Sequence, residues 1–142
     1  MNGSLTDRQQ RRLFILDDSK TFLSYAQQLL RVAGYVVHAF ETHLGITREV
    51  IRHTPDLLLV DQNMPTVTGD KVCRMLRTLP QGKKLLIILH STTPKEELHE
   101  IAERCGADGF IVKSQNPKDL LSGVDRFLLG GQNRTQYGGG GR

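Results

Sequence analysis

Residues 57–60 are four consecutive aliphatic side chains, Leu-Leu-Leu-Val, that run without a polar break into Asp61. So short an apolar run, with no alternation, reads as a strand buried on both faces. That requirement constrains everything else, because apolar material must then cover each side of the strand. Beyond Asp61 the chain leaves through Asn63, Pro65 and Gly69, and a helical pattern starts at Gly69. Open α/β sheets bind ligands at the carboxyl ends of their strands, so a carboxylate there is a candidate for chemistry. Taken alone, an Asp in that place more commonly serves a turn or caps a helix.

The same signature recurs. Residues 12–17 (RLFILD) form a second apolar run ending in acid, and Asp18 and Ser19 follow, the latter placed to cap a helix. Phe22, Ala26, Leu29, Leu30 and Ala33 recur at helical spacing before Gly34. Residues 35–40 (YVVHAF) predict a strand, and residues 44–53 a weaker amphipathic helix that Thr54-Pro55 ends. A helix over 69–79 presents Val72, Cys73, Leu76 and Leu79, and Pro80-Gln81-Gly82 breaks it. Residues 85–89 (LLIIL) give a fourth strand, closed by His90-Ser91-Thr92-Thr93. A helix over 94–105 has Pro at its start and Gly106 past its end. Residues 109–112 (GFIV) make the fifth strand, ending at Lys113, and Asn116-Pro117 opens the last helix.

These patterns place one folded domain over residues 12–130, between a polar, flexible leader (1–11) and a Gly-rich linker or tail (131–142). No apolar run approaches the ~18 residues of a membrane span, and the first residues lack the apolar core of a signal peptide. The expectation is a cytoplasmic protein with no membrane partner and with Cys73 and Cys105 as free thiols. The net charge is +4, yet the basic residues are spread over both tails and every helix, so no direct nucleic-acid partner is expected. The five histidines lack metal-ligand spacing.

Five strands alternating with five helices predict an α/β fold, a flavodoxin-like doubly wound five-stranded parallel sheet of order 2-1-3-4-5. The first and third strands are then neighbours at the switch point. Asp17, Asp18, Asp61, Ser91 and Lys113 converge at one edge of the sheet.

That set, in that order on those strand ends, resembles response-regulator receiver domains of two-component signalling, of the chemotaxis-regulator kind. The loop DQNMPTVTG is similar to the family's phosphoacceptor loop, and Phe110 matches its switch aromatic. The resemblance spans residue 12 to about residue 129. It implies that Asp61 accepts a phosphoryl group from a histidine kinase or phosphotransfer protein, by covalent catalysis through a carboxylate. It implies Mg²⁺ held by Asp18 and Asp61, with Asp17 acting through water and Asn63 giving its backbone carbonyl. The residue types suit this: three crowded carboxylates raise one another's pKa, and an all-oxygen donor set favours a hard cation. Lys113 would neutralise charge on the transferring group, and otherwise pair with Asp61. Ser91 would donate to a phosphoryl oxygen and draw its loop inward, letting Phe110 rotate into the vacated space. The kinase would approach residues 19–23 and the loop after Lys113. An output domain, effector or second receiver would meet the face of helix 94–105, strand 109–112 and helix 117–129. Such a chain is a signalling module and not a turnover enzyme.

Two departures stand out. Ser114 follows Lys113 where the family typically has a cis proline. A cis bond without proline costs about 2.5–4 kcal/mol, so a trans bond is expected, or a strained cis one if Lys113 is to reach Asp61. Thr93, two residues past Ser91, carries no charge to place a water, which suggests unaccelerated dephosphorylation. The alternatives are a pseudo-receiver that docks proteins without phosphorylation, and an enzyme on the same sheet. The loop after the first strand has no G-x-G-x-x-G to cradle a nucleotide.

Overall fold

The structure is a computed structural model and describes residues 5–130. The apolar runs form strands β1 (Arg12–Leu16), β2 (Val36–Phe40), β3 (Leu57–Asp61), β4 (Leu86–Ser91) and β5 (Gly109–Val112). They pair in parallel in the order β2-β1-β3-β4-β5, as the sequence predicts. Helices α2 (Lys20–Val32), α3 (Ile46–His53), α4 (Gly69–Leu76) and α6 (Lys95–Cys105) lie in the crossovers, and α7 (Pro117–Asp125) follows β5.

All five residues of β3 are buried, because each face of the sheet carries its own apolar layer. On one side Phe14, Leu16, Leu58, Val60, Leu89 and Phe110 pack with residues of α3, α4 and α6. On the other, Leu13, Ile15, Leu59, Ile88 and Ile111 pack with Leu23, Ala26 and Leu30 of α2 and Leu120 and Val124 of α7. The period-two alternation of strand side chains divides these two layers. Among the described residues no helix is long and apolar enough to cross a membrane.

Seven helices appear among the described residues, not five, followed by a π turn over Arg126–Gly130. The stretch expected as a flexible leader contains α1 (Leu5–Gln9). Its Arg8 donates through Nε and Nη2 to both carboxylate oxygens of Asp125, at 3.1 and 2.7 Å, and Tyr35 donates its hydroxyl to the same carboxylate at 2.5 Å. The expected break at residues 80–82 is itself a short helix, α5 (Pro80–Lys84), with Pro in its first turn, where the missing N–H costs nothing. The expected Gly-rich tail lies outside the described residues.

Candidate functional site

β1 and β3 lie side by side, so the residues that leave their carboxyl ends meet. Asp17 continues β1 and is 1% exposed. Its Oδ1 accepts from the backbone N–H of Ser19 at 2.9 Å and its Oδ2 from the Lys113 ammonium at 3.2 Å. Asp18 points to solvent. Ser19 caps α2, accepting from the Phe22 N–H at 3.2 Å, and so fixes the turn that presents both acids. Asp61 closes β3 and is 5% exposed. Its Oδ1 accepts from the Asn63 N–H at 3.0 Å and lies 3.6 Å from Lys113 Nζ. One carboxylate oxygen from each of Asp17, Asp18 and Asp61 lies within 4.8 Å of the others.

Three carboxylates face one ammonium here, so negative charge is in excess. Asp61 responds with a pKa above its ordinary value. Burial is the main cause and the charges of Asp17 and Asp18 add to it, while the Asn63 N–H and Lys113 act in the opposite direction. A hard divalent cation would relieve that excess, and the donor set is entirely oxygen, so the cluster could hold such a metal ion. Both Asp17 oxygens already serve protein donors, whereas Asp18 is open.

Lys113 leans toward Asp17 more closely than toward Asp61, and its ammonium lies 5.2 Å from the Phe22 ring centre. It reaches both acids across a trans peptide, since no described residue has a cis bond. The Lys113 N–H donates to Ser91 C=O at 2.7 Å, which ties the end of β5 to the end of β4.

Ser91 is fully buried at the end of β4. Its Oγ accepts from Asn63 Nδ2 at 2.6 Å and from the Thr93 N–H at 3.0 Å, and it shares a hydrogen bond with Thr93 Oγ1 at 2.7 Å. Asn63 was expected to act through its carbonyl; its side chain, for which the sequence predicted no role, joins the Asp61 loop to the Ser91 loop. Phe110 is 1% exposed, with its ring already inside the core and 5.9 Å from the ring of His99.

Some residues around the site carry no sequence signal for it. Gln62 accepts from the Asp70 N–H at 2.9 Å and donates to the Asp70 carboxylate at 3.0 Å, stapling the loop to α4. His90 is aligned with Asp61 across the β3–β4 ladder and is buried against Phe22. Burial, and after it the Lys113 charge, pulls its pKa down to about 3, so it is neutral. A helical wheel places Phe22 inward, but only the three-dimensional structure puts Lys113 over its ring.

The sequence model of the response regulator receiver domain matches residues 13–125. The phosphate regulon transcriptional regulatory protein PhoB of Rhizobium meliloti is 34% identical over 82% of this chain and 52% of its own length. The transcriptional regulatory protein CreB of Escherichia coli is 24% identical over 84% of the chain and 52% of its own length. The chain thus spans about half the length of these two relatives. Among solved structures, the chemotaxis response regulator CheY4 of Vibrio cholerae superposes with a TM-score of 0.77 at 27% identity, over 83% of this chain and 98% of that one. The receiver domain of a signal transduction histidine kinase from Syntrophus aciditrophicus gives 0.74 at 28% identity, over 87% and 93%.

Proposed function

The chain belongs to the response regulator receiver family, and from that premise we propose that Asp61 accepts a phosphoryl group from a phosphohistidine on a kinase or phosphotransfer protein. The observation that carries this reading is the meeting of Asp61, Asp18 and Lys113 at one strand edge. Both protein contacts of the Asp61 carboxylate fall on Oδ1, which leaves Oδ2 to attack. The new O–P bond forms as the P–N bond to the donor imidazole breaks, and the electron pair leaves with the imidazole, which takes up a proton.

Asp18 and Asp61 would hold Mg²⁺, with Asp17 steering its waters and the Asn63 carbonyl completing the set. When bound, the ion supplies charge neutralisation for the phosphoryl oxygens. Lys113 gives a second positive charge, and its contact with Asp17 keeps it poised until phosphoryl oxygens arrive.

Ser91 reads the outcome. Its single proton has Thr93 Oγ1 as one acceptor in this state, and a phosphoryl oxygen on Asp61 would compete for it. A charge-assisted hydrogen bond contributes about 1.5–3 kcal/mol, enough to shift a modestly biased loop equilibrium. Because Phe110 already lies inside the core, the switch acts on how firmly the 91–94 loop and α6 hold that packing, and through them on partner binding at the α6, β5 and α7 face.

The test is incubation with Mg²⁺ and acetyl phosphate, followed by intact mass. One added phosphoryl group is expected in the native chain and none in Asp61→Ala. No addition to the native chain, with the fold intact, would leave a docking module as the reading.

A further inference from the structure

Cys73 and Cys105 play no part in phosphoryl transfer, yet the fold brings them together from 32 residues apart. Cys73 sits at mid-α4 and Cys105 at the last turn of α6. The Cys73 thiol donates to the Cys105 carbonyl at 3.4 Å, and the Cys105 thiol donates to the Ala102 carbonyl at 3.6 Å. Arg77, which caps α4, holds this junction in register. It donates to Gly106 C=O at 2.9 Å and to the Asp108 carboxylate at 2.7 Å, just past Cys105. The end of α4 and the end of α6 cannot separate without breaking that clamp.

We propose that Cys73 and Cys105 form a reversible disulfide that ties α4 to α6 when the chain meets hydrogen peroxide. Cys105 reacts first. It is 4% exposed where Cys73 is fully enclosed. The neighbouring Cys73 thiol, aided by the Ala107 N–H and opposed by burial, brings its pKa down to about 7, while the same pairing and burial push Cys73 up. The Cys105 sulfur attacks one peroxide oxygen, the O–O bond breaks, and hydroxide leaves with the thiol proton as water. The product is a sulfenic acid. The Cys73 sulfur then attacks the Cys105 sulfur, the S–O bond breaks, and a second water leaves with the Cys73 proton. Two electrons pass from the thiols to the peroxide. The bond would pin the carboxyl end of α6, a helix of the face assigned above to partners. Only that consequence rests on the phosphoreceiver reading; the disulfide does not.

The test treats the folded chain with peroxide, then measures intact mass and maps peptides without reductant. The expected result is loss of two hydrogens, a linked Cys73–Cys105 peptide, and recovery of both thiols with dithiothreitol. Cys73→Ser should stop at a sulfenic acid on Cys105 that a dimedone probe captures, and Cys105→Ser should react far more slowly. An unchanged mass with the fold intact by circular dichroism overturns the proposal. So does over-oxidation of Cys105 without a link, or a bond only between chains. Acetyl phosphate labelling of Asp61 is read separately, so either reading can fail alone.

Discussion

At the scale of single residues the site is a balance of charge. Lys113 supplies the one ammonium among Asp17, Asp18 and Asp61. Lys113→Ala should slow phosphorylation of Asp61 by about 100-fold, the size of effect seen when one charge-stabilising donor is removed. Rates of labelling by acetyl phosphate at fixed Mg²⁺ would show it, and an unchanged rate would remove Lys113 from the mechanism. His90 poses a different problem. It is buried and neutral, and its Nδ1 has no hydrogen-bond partner. Its pKa falls from 6.5 to about 3 on folding, so between those values the unfolded chain binds a proton that the folded chain refuses. Its titration therefore costs no stability above 6.5 and lowers stability progressively as the pH falls toward 3. His90→Leu should flatten that part of the stability profile. At neutral pH it should add about 1 kcal/mol by removing an unsatisfied buried atom. Urea midpoints measured across the acid range for both chains would separate this effect from the carboxylates, which the two share.

At the scale of elements, α4 begins pressed against the site. A Cβ on Gly69 would lie 2.7 Å from the Asp61 carbonyl oxygen and 3.0 Å from Gln62 Cα, and both are backbone atoms that cannot turn aside. Gly69→Ala should cost about 1–3 kcal/mol as an overpacking change and should also slow Asp61 labelling, because the strain falls on the loop that carries the acid. A variant with full labelling rate but lower stability would show that the loop yields elsewhere. This contact also marks what the sequence could tell. Four strands were legible as short apolar runs and β2, only partly buried, as a β-branched and aromatic stretch, and Asp17, Asp61, Ser91 and Lys113 were legible as the residues at their ends. α5 was not, because Pro80 and Gly82 read as breakers. In space, Pro80 starts a helix, and a Cβ on Gly82 would fall 1.8 Å from the Leu76 carbonyl oxygen, a close approach only glycine tolerates. The Asn63 side chain was missed because its partners, Ser91 and Thr93, lie 28 and 30 residues away, beyond any local spacing rule.

At the scale of the whole molecule, the chain's first described helix is bound to its last. Arg8 and Asp125 are 117 residues apart and Tyr35 is 90 residues from Asp125, so no sequence window reveals the tie. It also explains why residues 5–9, none of which is fully buried, hold a helical turn. The Arg8 and Asp125 side chains are only 13% and 8% exposed, which limits screening by water. Removing one partner strands the other charge, and Arg8→Met should cost about 3 kcal/mol. Removing both charges and the hydroxyl that serves them, in Arg8→Met with Asp125→Leu and Tyr35→Phe, should recover most of that loss, because no buried charge or orphan donor remains. Tyr35 adds a pH signature. Burial first, and then its bond to Asp125, hold the phenol above its ordinary value of 10. The unfolded chain then loses that proton before the folded one, so the contribution is whole below pH 10 and falls as the pH rises further. Urea unfolding of the native, single and triple variants near neutrality and in alkali tests both parts. If Arg8→Met unfolds at the native midpoint, α1 is an ornament on the domain; if the triple variant recovers nothing, the tie stabilises by packing and not by charge.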